Sequence, residues 1–339
     1  MILLISISEH ELTTDFVIDW LHHYKSDYFR LNFDLLESNE RFNVTIKMSD
    51  QIRNHLIIYD GKNIDLSKVN VIWYRRLFDD SINNAFFREN NFSNQFNIDI
   101  NEFIIKERVF FNNFLFYCLK DYKWLDFPLK SKEIAMSKLR NLDVAMKIGL
   151  TIPNTIITNS LNQISEFKKT YKKIITKPIS YFKRFEIELN YFSTFTALVK
   201  DIETDFNFIP SLFQQYIEKK YELRIFYLDG EFYTIAIFTS QSNKTKVDSR
   251  NYDYSFPNRR VSYNLPKAVE NKLDKLMKEL QLKNSSIDMI KGIDGNYYFL
   301  EVNPVGQFAG MSNACNYNLE EKIALHLIKE NITNGESEI

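Results

Sequence analysis

The chain has 339 residues, 45% of them hydrophobic, which is enough to bury sizeable cores in two or three subdomains. A formal net charge of −1 creates no overall field that would draw it to nucleic acid or an anionic membrane. The two cysteines, Cys118 and Cys315, have no paired spacing, which argues against a disulfide framework and against a thiolate metal site.

The opening run 1–7 lacks a cationic segment and is too short for a signal peptide, so it reads as a buried first strand. No apolar run approaches the ~20 residues that span a bilayer, and the chain reads as cytoplasmic. Apolar residues at helical spacing follow over 15–24 (Phe16, Val17, Trp20, Leu21), then strand-like runs at 44–48, 55–59 and 69–73, with a turn at Asp60-Gly61. Strands alternating with a helix predict a small α/β domain. Arg75 and Arg76 stand where the third run ends, either facing a ligand or pairing with acids at the surface. Residues 77–97 read as an Asn-rich irregular insertion, and 98–119 as a long helix with Phe103, Ile104, Val109, Phe110, Phe114 and Leu115 on its core face. Asp126-Phe127-Pro128 closes this domain, placed at 1–129.

A central lobe, 130–212, begins with a helix over 138–148, capped by Ser137 and ended by Gly149. Strands are expected at 156–157, 173–177, 185–189 and 195–199, with a short helix over 164–171. A last lobe, 213–339, starts at Phe213-Gln214-Gln215-Tyr216-Ile217. It continues into a hairpin over 221–240 around Asp229-Gly230, whose first strand carries Glu222 and Arg224 on one face. A polar loop leads to Asn258-Arg259-Arg260. Helices over 267–280 and 319–328 flank a second hairpin.

That second hairpin, 286–304, is the centre of the chain. Apolar runs flank Asp294-Gly295, a pair suited to a type I′ turn, which needs positive φ at both central residues. Counting outward from that turn sets Asp288 opposite Glu301, and Asn303 shares their face. Two like charges directly opposed are destabilising. Stacked Asp, Glu and Asn oxygens therefore point to a cation, and oxygen-only ligation suits Mg²⁺.

The order of these elements from about 130 to 329 resembles the ATP-grasp superfamily of carboxylate–amine and carboxylate–alcohol ligases. The resemblance implies an α/β architecture of α+β lobes: an N-terminal pre-ATP-grasp domain, a central lobe and a C-terminal lobe with the Mg²⁺ site. It implies that Lys138, opening its helix, and Lys177, before Pro178, reach the phosphates of ATP. It implies that Gln215-Tyr216-Ile217 pair with adenine, that Glu222 holds the ribose, and that Asp288, Glu301 and Asn303 are the metal ligands. A narrower likeness is to graspetide synthetases, in the subgroup of grasp-with-spasm peptide maturases. Its carriers are Ile72-Trp73-Tyr74-Arg75-Arg76, Tyr221-Glu222-Leu223-Arg224-Ile225-Phe226, Asn258-Arg259-Arg260-Val261 and Glu301-Val302-Asn303-Pro304-Val305-Gly306-Gln307-Phe308. One departure is that 179–192 holds no glycine, where many ATP-grasp enzymes carry a glycine-rich loop over the phosphates.

The resemblance implies ATP-dependent macrocyclisation of a ribosomal precursor peptide, leader plus core. Asp or Glu side chains would be activated as acyl phosphates and joined to Ser/Thr hydroxyls or Lys amines. Arg224 would meet the transferring phosphoryl group or the acyl phosphate, its planar fork suiting bidentate contacts, or else pair with Glu222 or a neighbouring strand, and Arg259 and Arg260 would hold the acidic side chains of the peptide. The leader is expected to dock on 221–263. No nucleic-acid or membrane partner is expected; a homodimer is compatible with the sequence. Two alternatives stay open: a ligase adding amino acids to a small acid or a protein tail, and a nucleotide-binding regulator without turnover.

Overall fold

The computed structural model describes residues 1–7, 11–32, 43–48, 55–59, 63–75, 98–179, 185–187, 190–192, 196–200, 208–239 and 258–333. Asp60-Gly61, Arg76, the insertion at 77–97 and the loop at 241–256 lie outside them. The chain divides into two compact units, Met1–Ser131 with Asn318–Ile339, and Lys132–Tyr317.

The first unit is built on β1 (Ile2–Ser6), every residue of which is buried. It is the middle strand of a parallel sheet, between β2 (Tyr28–Asn32) and β5 (Val71–Tyr74). A middle strand covered on both faces needs an unbroken apolar run, which Ile2-Leu3-Leu4-Ile5 supplies. Helix α1 (Leu12–His23) buries Val17 and Leu21. The strands β3 (Asn43–Lys47) and β4 (His55–Tyr59) form a separate antiparallel pair. In α2 (Ile98–Cys118) the buried side is Leu115 and Phe116. Phe103, Val109 and Phe110, expected on a core face, are exposed; among the described side chains of this helix, the buried ones lie in its last turns. Arg75 is neither at the surface nor facing an open site. It is 1% exposed, with a guanidinium nitrogen 3.4 Å from Glu11 and 3.0 Å from the Thr13 hydroxyl.

Helix α3 (Pro128–Met136) leads into the second unit, where α4 (Lys138–Lys147) follows. Gly149 ends that helix at φ +89°, a conformation open to glycine at no steric cost. Next come β6 (Thr155–Thr158), α5 (Leu161–Tyr171), capped by the Ser160 hydroxyl accepting from Gln163 N–H, and β7 (Ile174–Lys177). Short strands β8 (Phe185–Ile187) and β9 (Asn190–Phe192) pair with each other, while β10 (Ala197–Leu198) pairs with β7. With β11 (Ser211–Gln215) these make an antiparallel sheet in the order β10-β7-β11-β6.

The larger sheet holds β12 (Lys219–Leu228), β13 (Glu231–Phe238), β14 (Arg259–Tyr263), β15 (Asn284–Gly292) and β16 (Tyr297–Pro304), in the order β14-β13-β12-β15-β16. Helix α6 (Lys267–Leu280) buries Leu273, Leu276, Met277 and Leu280 in one cluster with Leu223, Ile225, Ile287 and Phe299. Leu223 and Ile225 alternate along β12 with Glu222 and Arg224, so packing one face on the helix leaves the charged pair on the other. Helix α7 (Ala309–Cys315) closes the unit. The last helix, α8 (Leu319–Thr333), packs in the first unit against α1 and β5, although the sequence placed it with the C-terminal lobe.

Candidate functional site

The face of the larger sheet opposite α6 carries a row of charges. Arg224 on β12 is the register partner of Asp288 on β15, and Asp288 is the partner of Glu301 on β16. One Arg224 nitrogen donates to both Asp288 oxygens at 2.6 Å. From the first turn of α4, Lys138 Nζ lies 3.3 Å from Glu301 Oε2. The row therefore reads plus, minus, minus, plus, with a cation against each acid from outside. Withdrawal from water, with the Glu301 charge beside it, raises the Asp288 pKa above the usual carboxylate value, against the pull of Arg224. Asn303, opposite Ser286, donates its amide to Asp288 at 3.1 Å and to Glu301 at 3.4 Å.

The expected register of Asp288 and Glu301 is correct, but the route to it is not. A type I′ turn at Asp294-Gly295 would need positive φ at both, and only Gly295 has it, at +86°. Gly292 instead faces Asn296, with Gly295 N–H donating to Gly292 O at 3.1 Å, so the loop holds three residues. This displaces the register by one through Met289↔Phe299. A β-bulge at Leu300 then restores it, so that Asp288 meets Glu301. Bulges cluster beside active sites because they re-aim a side chain, and here Leu300 and Glu301 both line the same cleft. The other hairpin does follow the rule: Asp229 and Gly230 have φ of 43° and 96°, with Leu228 opposite Glu231.

The cleft has a volume of about 440 Å³ and lies wholly within the second unit. It gathers Lys177, Gln215, Tyr216, Ile217, Glu222, Arg224, Arg260, Asp288 and Glu301 from the sequence-derived set. Lys138 and Asn303 adjoin it through Glu301 and Asp288. Lys177 ends β7, and Gln215-Tyr216-Ile217 lead from β11 of the four-stranded sheet to β12 of the five-stranded one. Gln215 N–H and Tyr216 N–H are spent on Asn154 O and Lys173 O. Among the described residues no backbone carbonyl accepts from Ile217 N–H. Arg260 reaches the cleft and lies 3.5 Å from Gly310 O, whereas Arg259 turns away and sits over the Phe238 ring at 4.4 Å.

Sequence reasoning missed Lys219, whose side chain is 7% exposed and paired with Glu222, and the apolar floor of Ile175, Met289 and Leu300. It also placed Tyr221 and Tyr263 on a docking surface. Both pack on the α6 core cluster; among the described residues of that region the exposed ones are Asp229–Glu231 at the hairpin tip and Arg259–Ser262 on β14. In place of a glycine-rich loop, β8 and β9 form a small hairpin between Lys177 and Thr196, which both line the cleft.

Among the described residues, no group of three or more His, Cys, Asp or Glu could hold a metal ion. The donor set instead consists of two carboxylates and a carboxamide, hard oxygen donors that suit Mg²⁺ shared with phosphates. Asn303 presents its NH₂ to the acids; a half-turn of the amide brings Oδ1 round, since the two ends differ only in hydrogen bonding. The residues fit the ion.

The chain is similar to known proteins along nearly its whole length. Residues 1–126 match the family model described as the MvdD pre-ATP grasp domain. Among solved structures, a RiPP-associated ATP-grasp ligase of Chryseobacterium gregarium, in complex with ADP and a leader and core peptide, superposes with a TM-score of 0.83. It is 24% identical, over 97% of this chain and 96% of that one. The macrocyclase MdnC of Microcystis aeruginosa MRC, bound with precursor peptide MdnA, has a TM-score of 0.76 and 26% identity, covering 97% and 99% of the two chains. The ATP-grasp ligase PsnB, complexed with a minimal precursor, Mg and ADP, reaches 0.73 at 17% identity, covering 97% of each chain. No curated protein sequence matched. The chain thus has the ATP-grasp ligase fold. Its N-terminal part is similar to the MvdD pre-ATP grasp domain.

Proposed function

We propose that the chain is an ATP-dependent macrocyclase acting on a ribosomally made precursor peptide. It would activate Asp or Glu side chains as acyl phosphates and join them to Ser/Thr hydroxyls as esters or to Lys amines as amides. The observation that carries this is the row Arg224–Asp288–Glu301–Lys138 on the wall of a cleft that also holds Lys177 and the 215–217 segment. The Chryseobacterium ligase, MdnC and PsnB, which share the fold over nearly the whole chain, are described with peptides, and two of them with ADP. That supports a peptide substrate over a small acid.

A carboxylate oxygen is a poor leaving group. Transfer of the γ-phosphoryl group makes the carbonyl carbon attackable, and attack by the hydroxyl or amine then releases phosphate and forms the ring bond. The protein's contribution is positioning and charge neutralisation. Ile217 N–H meets the base edge, Glu222 accepts from the ribose hydroxyls, and Lys177 and Lys138 bind phosphate oxygens. Asp288, Glu301 and Asn303 would hold Mg²⁺, which supplies positive charge to the phosphates. Arg224, which donates to Asp288 among the described residues, would face the phosphoryl group or the acyl phosphate. Arg260, at the cleft rim, is placed for an acidic side chain of the peptide.

The test is co-expression with a short peptide, rich in acids and Ser/Thr, encoded beside the gene, followed by mass spectrometry. Each ring bond should appear as loss of one water, dependent on an intact Asp288. Tailing of the peptide with added residues would instead favour the amino-acid ligase. Binding of nucleotide without any change of mass would favour the regulator.

A further inference from the structure

Strand alternation hides one cation of this cleft. Glu222 and Arg224 face the cleft, so a regular strand would aim Lys220 the same way and turn Lys219 toward the α6 side. The pairing of β12 with β15 shifts between Lys219 and Tyr221, marking a β-bulge at Lys220. Lys220 is exposed, and Lys219 lines the cleft. Its side chain is only 7% exposed, and its ammonium is paired with Glu222, itself 18% exposed. A lysine this deep has given up most of its hydration, and Glu222 is the carboxylate it meets there. The arrangement has a consequence beyond packing. Glu222 stands near Asp288 and adds to the negative charge that Asp288 already feels.

We propose that Lys219 is a positioning residue for sugar recognition, resting on the nucleotide reading above. It fixes one oxygen of Glu222 in place. The other oxygen then accepts from the vicinal diol of a ribonucleotide, so the site selects ribo- over deoxyribonucleotides. Lys219 itself need not touch the ligand.

The test is titration calorimetry of the full chain with Mg²⁺–ADP and with Mg²⁺–2′-deoxy-ADP, with thermal melts as a check on folding. Losing a hydrogen bond to a charged acceptor is worth about tenfold or more in affinity. The wild type should therefore prefer ADP by about that factor. Lys219→Met and Glu222→Gln should each collapse the preference to within about twofold, the double variant should add nothing further, and Lys219→Arg should retain it. If Lys219→Met does not fold, Lys219→Gln, which keeps a neutral donor beside Glu222, is read in the same way. Equal weakening of both nucleotides with the preference intact overturns the proposal, because it marks a merely structural lysine. A folded wild type that binds both nucleotides equally also overturns it. One that binds neither overturns instead the nucleotide reading on which the proposal rests.

Discussion

Replacing Asp288 by Asn keeps the shape of the side chain and removes one of two carboxylates that face each other across β15 and β16. Without metal, two effects oppose. The raised pKa of Asp288 shows that its charge is held at a cost, which the substitution relieves. Arg224, however, loses the carboxylate it holds at 2.6 Å, at a depth where the two side chains are 23% and 27% exposed. Pairs at the surface are worth about 0–1 kcal/mol, and breaking a fully buried one costs about 3–5 kcal/mol. At this intermediate depth the net metal-free change should stay within about 1–2 kcal/mol, a few degrees in melting temperature for a unit of this size. Ligand binding separates the two proteins far more. A ligand at one hundred times its Kd stabilises by about 2.7 kcal/mol, which is about 5–10 °C here. With ADP present, added Mg²⁺ should raise the melting temperature of the wild type by an increment of that order. The Asn variant should lose most of that increment together with turnover. The assay is a pair of thermal melts with ADP, with and without Mg²⁺, beside the co-expression mass measurement. An unchanged Mg²⁺-dependent increment with near-normal ring formation would remove Asp288 from the metal site and refute the reasoning.

Lys177→Met should weaken ATP at least about tenfold by calorimetry, since an aliphatic chain cannot replace a charge-assisted phosphate contact. Lys138→Met should weaken it too and also alter the Mg²⁺ dependence, because Lys138 lies 3.3 Å from Glu301; unchanged affinity in both variants would take the lysines out of the site. Gly306→Ala should destabilise by about 1–3 kcal/mol in chemical denaturation, because a Cβ there would stand 2.4 Å from the Ser286 Cβ, on the strand pair that carries Asp288 and Asn303. A denaturation midpoint equal to that of wild type would show that β15 yields to the added methyl group.

Much of this protein is decided locally, and those parts are legible in the residue order. The apolar run Ile2–Ser6 can only be a covered strand, Gly149 stops α4 because it takes φ +89°, and Asp229-Gly230 makes a type I′ turn. The acids and Asn303 share one face because side chains alternate along β16. Other features depend on contacts between distant segments. Arg75 is drawn into a buried pair with Glu11, 64 residues earlier, which no local pattern announces. Residues 319–333 return to the N-terminal sheet because their apolar face meets α1 there, not because of their place in the chain. The two β-bulges are the sharpest case. A bulge is an unmatched residue between paired strands, so it has no signature in either strand alone. At Leu300 it corrected a turn read one residue too short, leaving Asp288 opposite Glu301. At Lys220 it reversed the face of Lys219 and concealed a cleft cation. Alternation predicts which side a residue faces only while the ladder is regular, and here the tertiary pairing breaks it at the two points where β12 and β16 line the site.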